Sequence, residues 1–443
     1  MKTKNILQTD VQSFIPATIE NQNSQQFDEV ETIYGKSHQP ERYFELGKIY
    51  HQQNQFEKAG AAYQQWLKLI NPRYKQAVEA AHEVEMAQEV TPLIPETEVT
   101  VGDYQFPAIP PVADSETRPF WSVVITVYNR TEYLFECLNS VLAQWPGEEM
   151  EILVMDNASD TPIFEIVNSI GKGVVRYYRN PENVSPVRNM NAGIALSRGH
   201  WIHVLHDDDS VLPGFYAQLQ QSLEGCTNSV GAAFTSFEYI NEKGEVLSEQ
   251  RCGYDDGQKG IATDWLSKIG VMCIVMLSAV VIRRTTLERL GAYHPQLPEI
   301  ADWEMDKRIA AHYDWWYEGT TLARYRLHTQ RLSNEYWSSW RQVAAFRRAI
   351  EMSESYLPTQ HRTEITAKAS LHYFNTCLVR LSKILKTEDI STAFRLLQEI
   401  LTLDRSPQAA MNLFVWLTYK EAAPLREEIV SRFLSIPVEE IVA

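Results

Sequence analysis

Residues 207–209 are three adjacent aspartates that follow the apolar run 201–205, and they form the strongest candidate for chemistry in the sequence. Adjacent carboxylates repel one another and raise each other's pKa unless a cation relieves the repulsion. A hard divalent cation would do so and would keep open positions for phosphate oxygens. Aspartates are also common in solvated turns before helices, and the Leu-Pro-Gly at 212–214 is typical of a helix start. The run alone therefore leaves a metal site and a plain acidic turn both open.

The sequence around the aspartates alternates between apolar runs and helix-like segments. The nearly unbroken apolar runs at 120–128 and 151–155 are typical of strands buried on both faces. The alternation continues through helix-like segments and further apolar runs at 132–145, 162–170, 174–178, 186–198 and 201–205. This pattern predicts an α/β domain with a mostly parallel central sheet flanked by helices.

Polar side chains follow four successive strands of this predicted sheet. Thr126 and Tyr128 end the first strand, and Asp156 follows the second. Arg188 lies beyond the third strand, and the acidic run follows the fourth. Because ligands of parallel sheets bind at the carboxyl ends of the strands, these residues are expected to share one site.

Five motifs occur in a fixed order between about residues 120 and 334. They are Thr126-Val127-Tyr128-Asn129, Arg188-Asn189-Met190-Asn191, His206-Asp207-Asp208-Asp209, Asp302-Trp303-Glu304 and Tyr325-Arg326-Leu327-His328. Their order resembles family 2 of the inverting glycosyltransferases, which have an A-type nucleotide-sugar fold. Individually the motifs are loose, and their order makes the ensemble fairly specific.

The resemblance implies a role for each matched residue. Asp302 would be the catalytic base, and Asp208 with His328 would hold Mn²⁺ or Mg²⁺. Tyr128 would stack on the base of the nucleotide. The full set of candidate nucleotide-binding residues is Thr126, Tyr128, Asp156, Arg188 and Asp207.

The sequence also departs from the family pattern at three positions. Thr126 stands where the family usually has proline, His206 where it has the first carboxylate of the acidic motif, and Ala301 where it has glutamate. Structural alternatives stay open as well. Asp302 could be a first-turn acid that stabilises the helix dipole, and His328 could be an ordinary buried histidine.

The implied reaction is the transfer of a sugar from a nucleotide diphosphate donor, with UDP-sugars favoured, to an acceptor hydroxyl. A base accepts the hydroxyl proton in a single displacement that inverts the anomeric carbon. The acceptor could be a glycan, a lipid-linked glycan or a protein. A sugar nucleotidyltransferase is disfavoured, because residues 129–132 after the first strand lack the glycines of a triphosphate-binding loop.

Composition restricts the partners and the compartment. A formal charge of −16 argues against broad nucleic-acid binding. Five scattered cysteines without a CxxC pair are typical of a reducing compartment. The sequence shows neither a signal peptide nor a membrane-spanning run, so we expect a cytoplasmic protein whose contact with membranes, if any, is peripheral.

The remaining sequence predicts four further segments. Residues 1–39 are polar and expected to be mobile, residues 90–119 are a proline-rich linker, and residues 335–443 are helical. Residues 40–89 resemble a tetratricopeptide-like helical hairpin, which suggests a protein partner. A helical-repeat adaptor with a catalytically inactive nucleotide-sugar-binding domain therefore remains the alternative function.

Overall fold

A computed structural model describes residues 40–81, 86–92, 97–113, 117–329, 340–386 and 390–434. The segment 1–39, expected to be mobile, lies outside these residues. The strands are β1 Gln88–Val90, β2 Glu98–Val101, β3 Tyr104–Pro107, β4 Trp121–Val127, β5 Met150–Asp156, β6 Val175–Arg179, β7 Trp201–His206, β8 Ser210–Val211, β9 Val230–Ile240, β10 Val246–Gln250, β11 Lys259–Ile261, β12 Val280–Arg283 and β13 Asp314–Arg326.

The helices alternate with these strands in the centre of the chain and follow one another at its ends. They are α1 Pro40–Gln52, α2 Phe56–Ile70, α3 Pro72–Ala80, α4 Leu134–Leu142, α5 Ile163–Gly171, α6 Pro186–Leu196, α7 Phe215–Leu223, α8 Trp265–Ile269, α9 Arg284–Leu290, α10 Ala301–His312, α11 Trp340–Tyr356, α12 Thr359–Ile384, α13 Ile390–Leu403, α14 Pro407–Leu417 and α15 Ala423–Leu434. In the described part of the chain, no helix is long and apolar enough to cross a membrane.

One large sheet forms the centre of the molecule, in the order β1-β6-β5-β4-β7-β12-β9-β13-β11. The first five strands of this order run parallel. Every residue of β4 and β5 is buried, because helices cover both faces of these apolar strands. The predicted fold class, a mostly parallel central sheet flanked by helices with a helical C-terminal region, is confirmed.

The second half of the sheet brings the acidic turn next to a distant strand. β12 pairs antiparallel with both β7 and β9, and β13 runs parallel to β9. The short strand β8 directly follows the aspartates and pairs with β13, with Val211 opposite Ala323. The end of β13 therefore lies beside residues 207–209, although more than a hundred residues separate them in the chain.

The helices α1 and α2 pack on the domain rather than standing apart from it. A Cβ added at Gly60 of α2 would come within 2.0 Å of the Ser169 hydroxyl on α5, so this close approach requires glycine. Tyr63 and His51 contact the ring of Phe135 on α4, with ring centroids 5.0 and 4.9 Å apart. One face of the predicted helical hairpin is thus buried against the domain itself.

Residues 75–119 contain more strand than the sequence predicted. The helix expected to continue to 89 ends at Ala80, and Gln88–Val90 forms β1, which pairs with the edge strand β6. The proline-rich segment contains the hairpin of β2 and β3, and its Phe106 is fully buried. Backbone groups at the edge of β6 would be unpaired without β1, which supplies their hydrogen-bond partners. The β2–β3 hairpin is stabilised because it buries the apolar Phe106.

The first two C-terminal helices, α11 and α12, pack against α10. Tyr373 of α12 lies 4.7 Å from the ring of Trp303, and the Tyr356 hydroxyl of α11 donates to Glu304 at 3.0 Å. Glu304 and Arg308 of α10 form a fully buried ion pair at 3.0 Å. The C-terminal region therefore supports the helix that begins at Asp302.

Candidate active site

The acidic turn after β7 holds a buried cation from the protein itself. Nη1 of Arg130 lies 2.7 Å from Oδ1 of Asp207 and 2.7 Å from Oδ2 of Asp208. Arg130 follows the end of β4, the strand that pairs with β7, so the sheet places it opposite the turn. Its guanidinium relieves the repulsion that the sequence predicted for adjacent carboxylates.

His328 reaches the same turn from the end of β13. Its Nε2 lies 2.8 Å from Oδ2 of Asp208, the oxygen that also contacts Arg130. Burial acts to raise the pKa of Asp208, but the hydrogen bond from His328 and the charge of Arg130 outweigh it and lower the pKa to about 2. The predicted pair of metal ligands is thus brought together, with Asp208 ionised.

Asp207 differs from its neighbour in how its oxygens are used. Oδ1 accepts a hydrogen bond from Arg130, whereas Oδ2 is buried without a partner among the described residues. Burial raises the pKa of Asp207 well above its usual range, against the lowering effect of Arg130. A buried oxygen without a hydrogen-bond partner is costly, and a ligand or cation would supply the missing partner.

Arg326 fixes the backbone of the turn from behind. Its Nε donates to the carbonyl of Asp208 at 2.9 Å, and its backbone amide donates to Oδ1 of Asp209 at 2.9 Å. The guanidinium also donates to Glu136 at 2.6 Å. One oxygen of the buried Asp209 is therefore occupied in holding β13.

The end of β4 presents one exposed and one buried candidate. The Tyr128 side chain is 41% exposed, as stacking on a nucleotide base requires. Thr126 is buried, and its hydroxyl lies 2.8 Å from Nδ1 of His206. His206 stands where the family pattern has its first carboxylate. Its side chain instead forms a hydrogen bond with Thr126 on the neighbouring strand β4.

Asp156 lies at the end of β5 and is enclosed by protein. Its Oδ2 accepts hydrogen bonds from the Tyr177 hydroxyl at 2.5 Å and from Arg179 at 2.6 Å, and its side chain has no exposed surface. Its Oδ1 accepts from the backbone amide of Ser159. A direct contact of Asp156 with a nucleotide stays a prediction, and it would require one of these partners to move.

Asparagines connect the strand ends to α6. Asn180 donates to Asn157 at 2.9 Å and to Asn189 at 2.8 Å, and Asn189 donates to the carbonyl of Met155 at 2.9 Å. These bonds position the first turn of α6, where Arg188 is exposed. Arg188 thus lies at the same sheet edge as Tyr128, as the order of the strands predicted.

Asp302 stands in the first turn of α10. Its Oδ1 accepts the amide of Trp303 at 2.8 Å, and burial raises the pKa of its carboxyl group above the usual range. It forms no ion pair or hydrogen bond with the acidic turn in the part of the chain described. An indirect link exists, because Asn191 of α6 exchanges two hydrogen bonds with the backbone of Tyr293, ahead of α10.

Sequence reasoning missed three residues of this site. Arg326 and Asn191 belong to recognised motifs but have no predicted role, and Arg130 directly follows the first of these motifs. Arg130 follows the first predicted strand, whose end was expected to lie near the three aspartates. Its position in the sequence was therefore a usable signal. The partners of Arg326 and Asn191 lie more than a hundred residues away, so their roles depend on tertiary structure.

The donor atoms around Asp208 fit a divalent cation that is completed by its ligand. Among the described residues, no three histidine, cysteine or acidic side chains are grouped to hold a metal by themselves. Mg²⁺ usually binds through one or two carboxylates together with substrate phosphates. Asp208 and the adjacent His328 match that incomplete type of site.

Part of the chain is similar in sequence to known proteins. Residues 122–281 match the sequence model of Glycosyl transferase family 2. An uncharacterized protein of Mycobacterium tuberculosis is 32% identical over 142 residues, which is 32% of this chain and 43% of that protein. The abequosyltransferase RfbV of Salmonella typhimurium is 34% identical over 108 residues, covering 23% of this chain and 32% of RfbV. The chain thus spans less than half the length of these relatives.

Among solved structures, S. aureus TarS 1-349 in complex with UDP has a similar fold. Its TM-score is 0.51 at 14% sequence identity, and the match covers 64% of this chain and 81% of that one. The family match ends before Asp302 and His328. Of the candidate site residues, it therefore includes those at the strand ends and in the acidic turn. Over residues 122–281 the chain is therefore similar to Glycosyl transferase family 2.

Proposed function

We propose that this protein transfers a sugar from a nucleotide diphosphate donor to an acceptor hydroxyl, with metal assistance and inversion at the anomeric carbon. The contact between Asp208 and His328 carries the proposal. It joins two motifs that are 120 residues apart at the sheet edge where nucleotides bind in such folds. An ionised, buried carboxylate beside an imidazole is a suitable ligand pair for a divalent cation.

The donor nucleotide is proposed to lie along the ends of β4, β5 and β7. The exposed Tyr128 ring stacks on the base, with Thr126 and Asp156 ordering the strand ends beneath it. Arg188 and Asp207 lie at this edge of the sheet. Arg188 binds the nucleotide through its positive charge, and Asp207 binds it by hydrogen bonding. UDP and UDP-GlcNAc are the first ligands to test, because both were found bound to S. aureus TarS 1-349.

Asp302 is the proposed catalytic base. Its raised pKa suits a proton acceptor, since a base works best when its pKa approaches the working pH. It takes the proton of the acceptor hydroxyl while that oxygen attacks the anomeric carbon from the face opposite the leaving group. A Mn²⁺ or Mg²⁺ ion held by Asp208 and His328 would neutralise the charge that develops on the diphosphate.

The acceptor is proposed to be a glycan. Two partial relatives are named as an abequosyltransferase and a succinoglycan biosynthesis protein. The buried face of α1 and α2 leaves a smaller surface for a protein partner than an isolated helical repeat would have. All five cysteines are unpaired, as in a reducing compartment, which supports a cytoplasmic location with any membrane contact peripheral.

The test is a calorimetric screen of nucleotide-sugars against the full chain, with and without Mn²⁺. We expect one donor to bind in a Mn²⁺-dependent way and to be slowly hydrolysed in the absence of an acceptor. Nuclear magnetic resonance of the released sugar would reveal its first-formed anomer, which should be inverted. Donor binding without any hydrolysis would favour the inactive adaptor, and absence of both would refute the proposed function.

A further inference from the structure

Arg130 occupies the position in the acidic turn that a cation would take. One nitrogen, Nη1, contacts Asp207 and Asp208 at 2.7 Å each, and the side chain is only 16% exposed. The same oxygen of Asp208 contacts His328. The predicted metal ligand Asp208 and the predicted nucleotide-binding residue Asp207 are thus already paired with a positive charge that belongs to the protein.

A divalent cation and this guanidinium compete for the same oxygens. An ion bound to Oδ2 of Asp208 would lie next to the guanidinium that contacts this atom, and like charges at such distances repel strongly in a buried site. The unpartnered Oδ2 of Asp207 offers the ion a further oxygen without removing the competition. One of the two cations must therefore leave the turn.

The backbone around Arg130 is anchored on both sides, so the side chain has to move. The Asn129 amide donates to Ser159 at 2.9 Å, and the Asn129 side chain accepts from the amide of Asp160 at 2.6 Å. On the other side, Nε2 of His51 lies 3.0 Å from the carbonyl of Thr131. A long arginine side chain can leave the carboxylates by rotation about its own bonds.

We propose that Arg130 acts as a counter-cation for Asp207 and Asp208. Its guanidinium opposes metal binding to the acidic turn until a metal ion and a nucleotide diphosphate bind together. This inference rests on the proposed metal-dependent donor site. Metal alone has to displace Arg130 without replacing its contacts, so it binds weakly. A nucleotide diphosphate offers phosphate oxygens to the released guanidinium, and these are strong partners for arginine. Arg130 therefore couples metal binding to donor binding.

The experiment measures Mn²⁺ affinity with and without UDP for the wild type and Arg130→Gln, by electron paramagnetic resonance of free Mn²⁺. We expect Arg130→Gln to bind Mn²⁺ alone at least about tenfold more tightly, because the competing charge is gone. UDP should then enhance Mn²⁺ binding less than it does in the wild type. Mn²⁺ alone should also raise the melting temperature of the variant more than that of the wild type.

Arg198→Gln is the matched control, since Arg198 pairs with Glu151 at 3.3 Å near the opposite ends of the strands. Its Mn²⁺ affinity should equal that of the wild type. Arg130→Lys keeps a positive charge but has no planar fork to bridge two carboxylates, so its gain in affinity should be smaller. It also serves as the test variant if Arg130→Gln does not fold.

The failures of the two proposals are distinguishable. If the wild type binds Mn²⁺ with UDP but folded Arg130 variants bind Mn²⁺ alone no better than it does, the counter-cation role is overturned and the donor site stands. If neither the wild type nor the variants bind Mn²⁺ even with UDP, the metal site itself is refuted, and the role of Arg130 with it.

Discussion

The acidic turn at 207–209 and the start of α10 both bury carboxylates, but the protein treats the two charges differently. Asp208 contacts Arg130 and His328, and these lower its pKa to about 2. Asp302 has an ordinary backbone partner and, in the described part of the chain, no ion pair, so burial raises its pKa. One carboxylate is kept charged, and the other is prepared to take up a proton.

The proposed function assigns a different role to each of the two regions. A carboxylate that must bind a cation benefits from a low pKa, because it stays ionised whatever else enters the site. A carboxylate that must act as a base benefits from a raised pKa, provided that it is ionised at the working pH. The following predictions test this contrast, beginning with the largest expected effect.

Replacing Asp302 with asparagine should abolish transfer without weakening the binding of the donor. We expect the rate of transfer to fall by about 10²- to 10⁴-fold, because no other group takes the proton of the acceptor. The dissociation constant of the Mn²⁺-dependent donor complex should stay near the wild-type value. Steady-state transfer assays and calorimetry would measure the two quantities.

Asp306→Asn is the control for that variant, one helical turn further along α10. Asp306 is buried and its pKa is raised well above the usual range, first by burial and then by Asp302. An asparagine resembles the protonated acid, so transfer should be retained. Full transfer by Asp302→Asn, or equal loss in both variants, would contradict the assignment of the base.

Replacing Asp208 with asparagine should affect the other region and the other measurement. We expect Mn²⁺-dependent donor affinity to fall by about 10- to 100-fold, since the amide cannot replace an ionised ligand. The exposed Asp160, in the loop after β5, provides the control variant Asp160→Asn. If Asp208→Asn kept the donor affinity and its metal dependence, the contrast between the two regions would be lost.

The pH dependence of transfer should report the raised pKa of Asp302. Because the base acts in its ionised form, activity is present above that pKa and is lost as the pH falls through it, by about tenfold per pH unit. The midpoint of this acidic limb of the pH profile should lie above the pKa range of an exposed aspartate, since burial raises the pKa of Asp302. Asp306→Asn should leave the limb in place, and a limb near pH 4 would contradict the assignment.

The smallest expected effect concerns the helices that support α10. Tyr356→Phe removes the hydrogen bond to the buried Glu304 and should lower the free energy of unfolding by about 1 kcal/mol, with little change in donor affinity. Tyr313→Phe, at a partly exposed tyrosine just after α10, is the control. Denaturant unfolding would measure both, and equal stability of the two variants would show that the contact contributes nothing.

The sequence determined four of the five parallel strands, β4 to β7, and the residues at their ends. The runs 120–128 and 151–155 had to be buried strands, because apolar segments of that length need cover on both faces. The order of strands and helices then placed Tyr128, Asp156 and the aspartates at one edge. These features follow from local pattern and chain order, which a sequence contains.

Only the tertiary structure decided how each buried charge is compensated. Arg130 contacts Asp207 from 77 residues away, and His328 contacts Asp208 from 120 residues away. Enclosure by Tyr177 and Arg179 likewise turned Asp156 from an open acceptor into an occupied one. A residue's pKa and accessibility depend on such distant neighbours, because charge and burial act through space rather than along the chain.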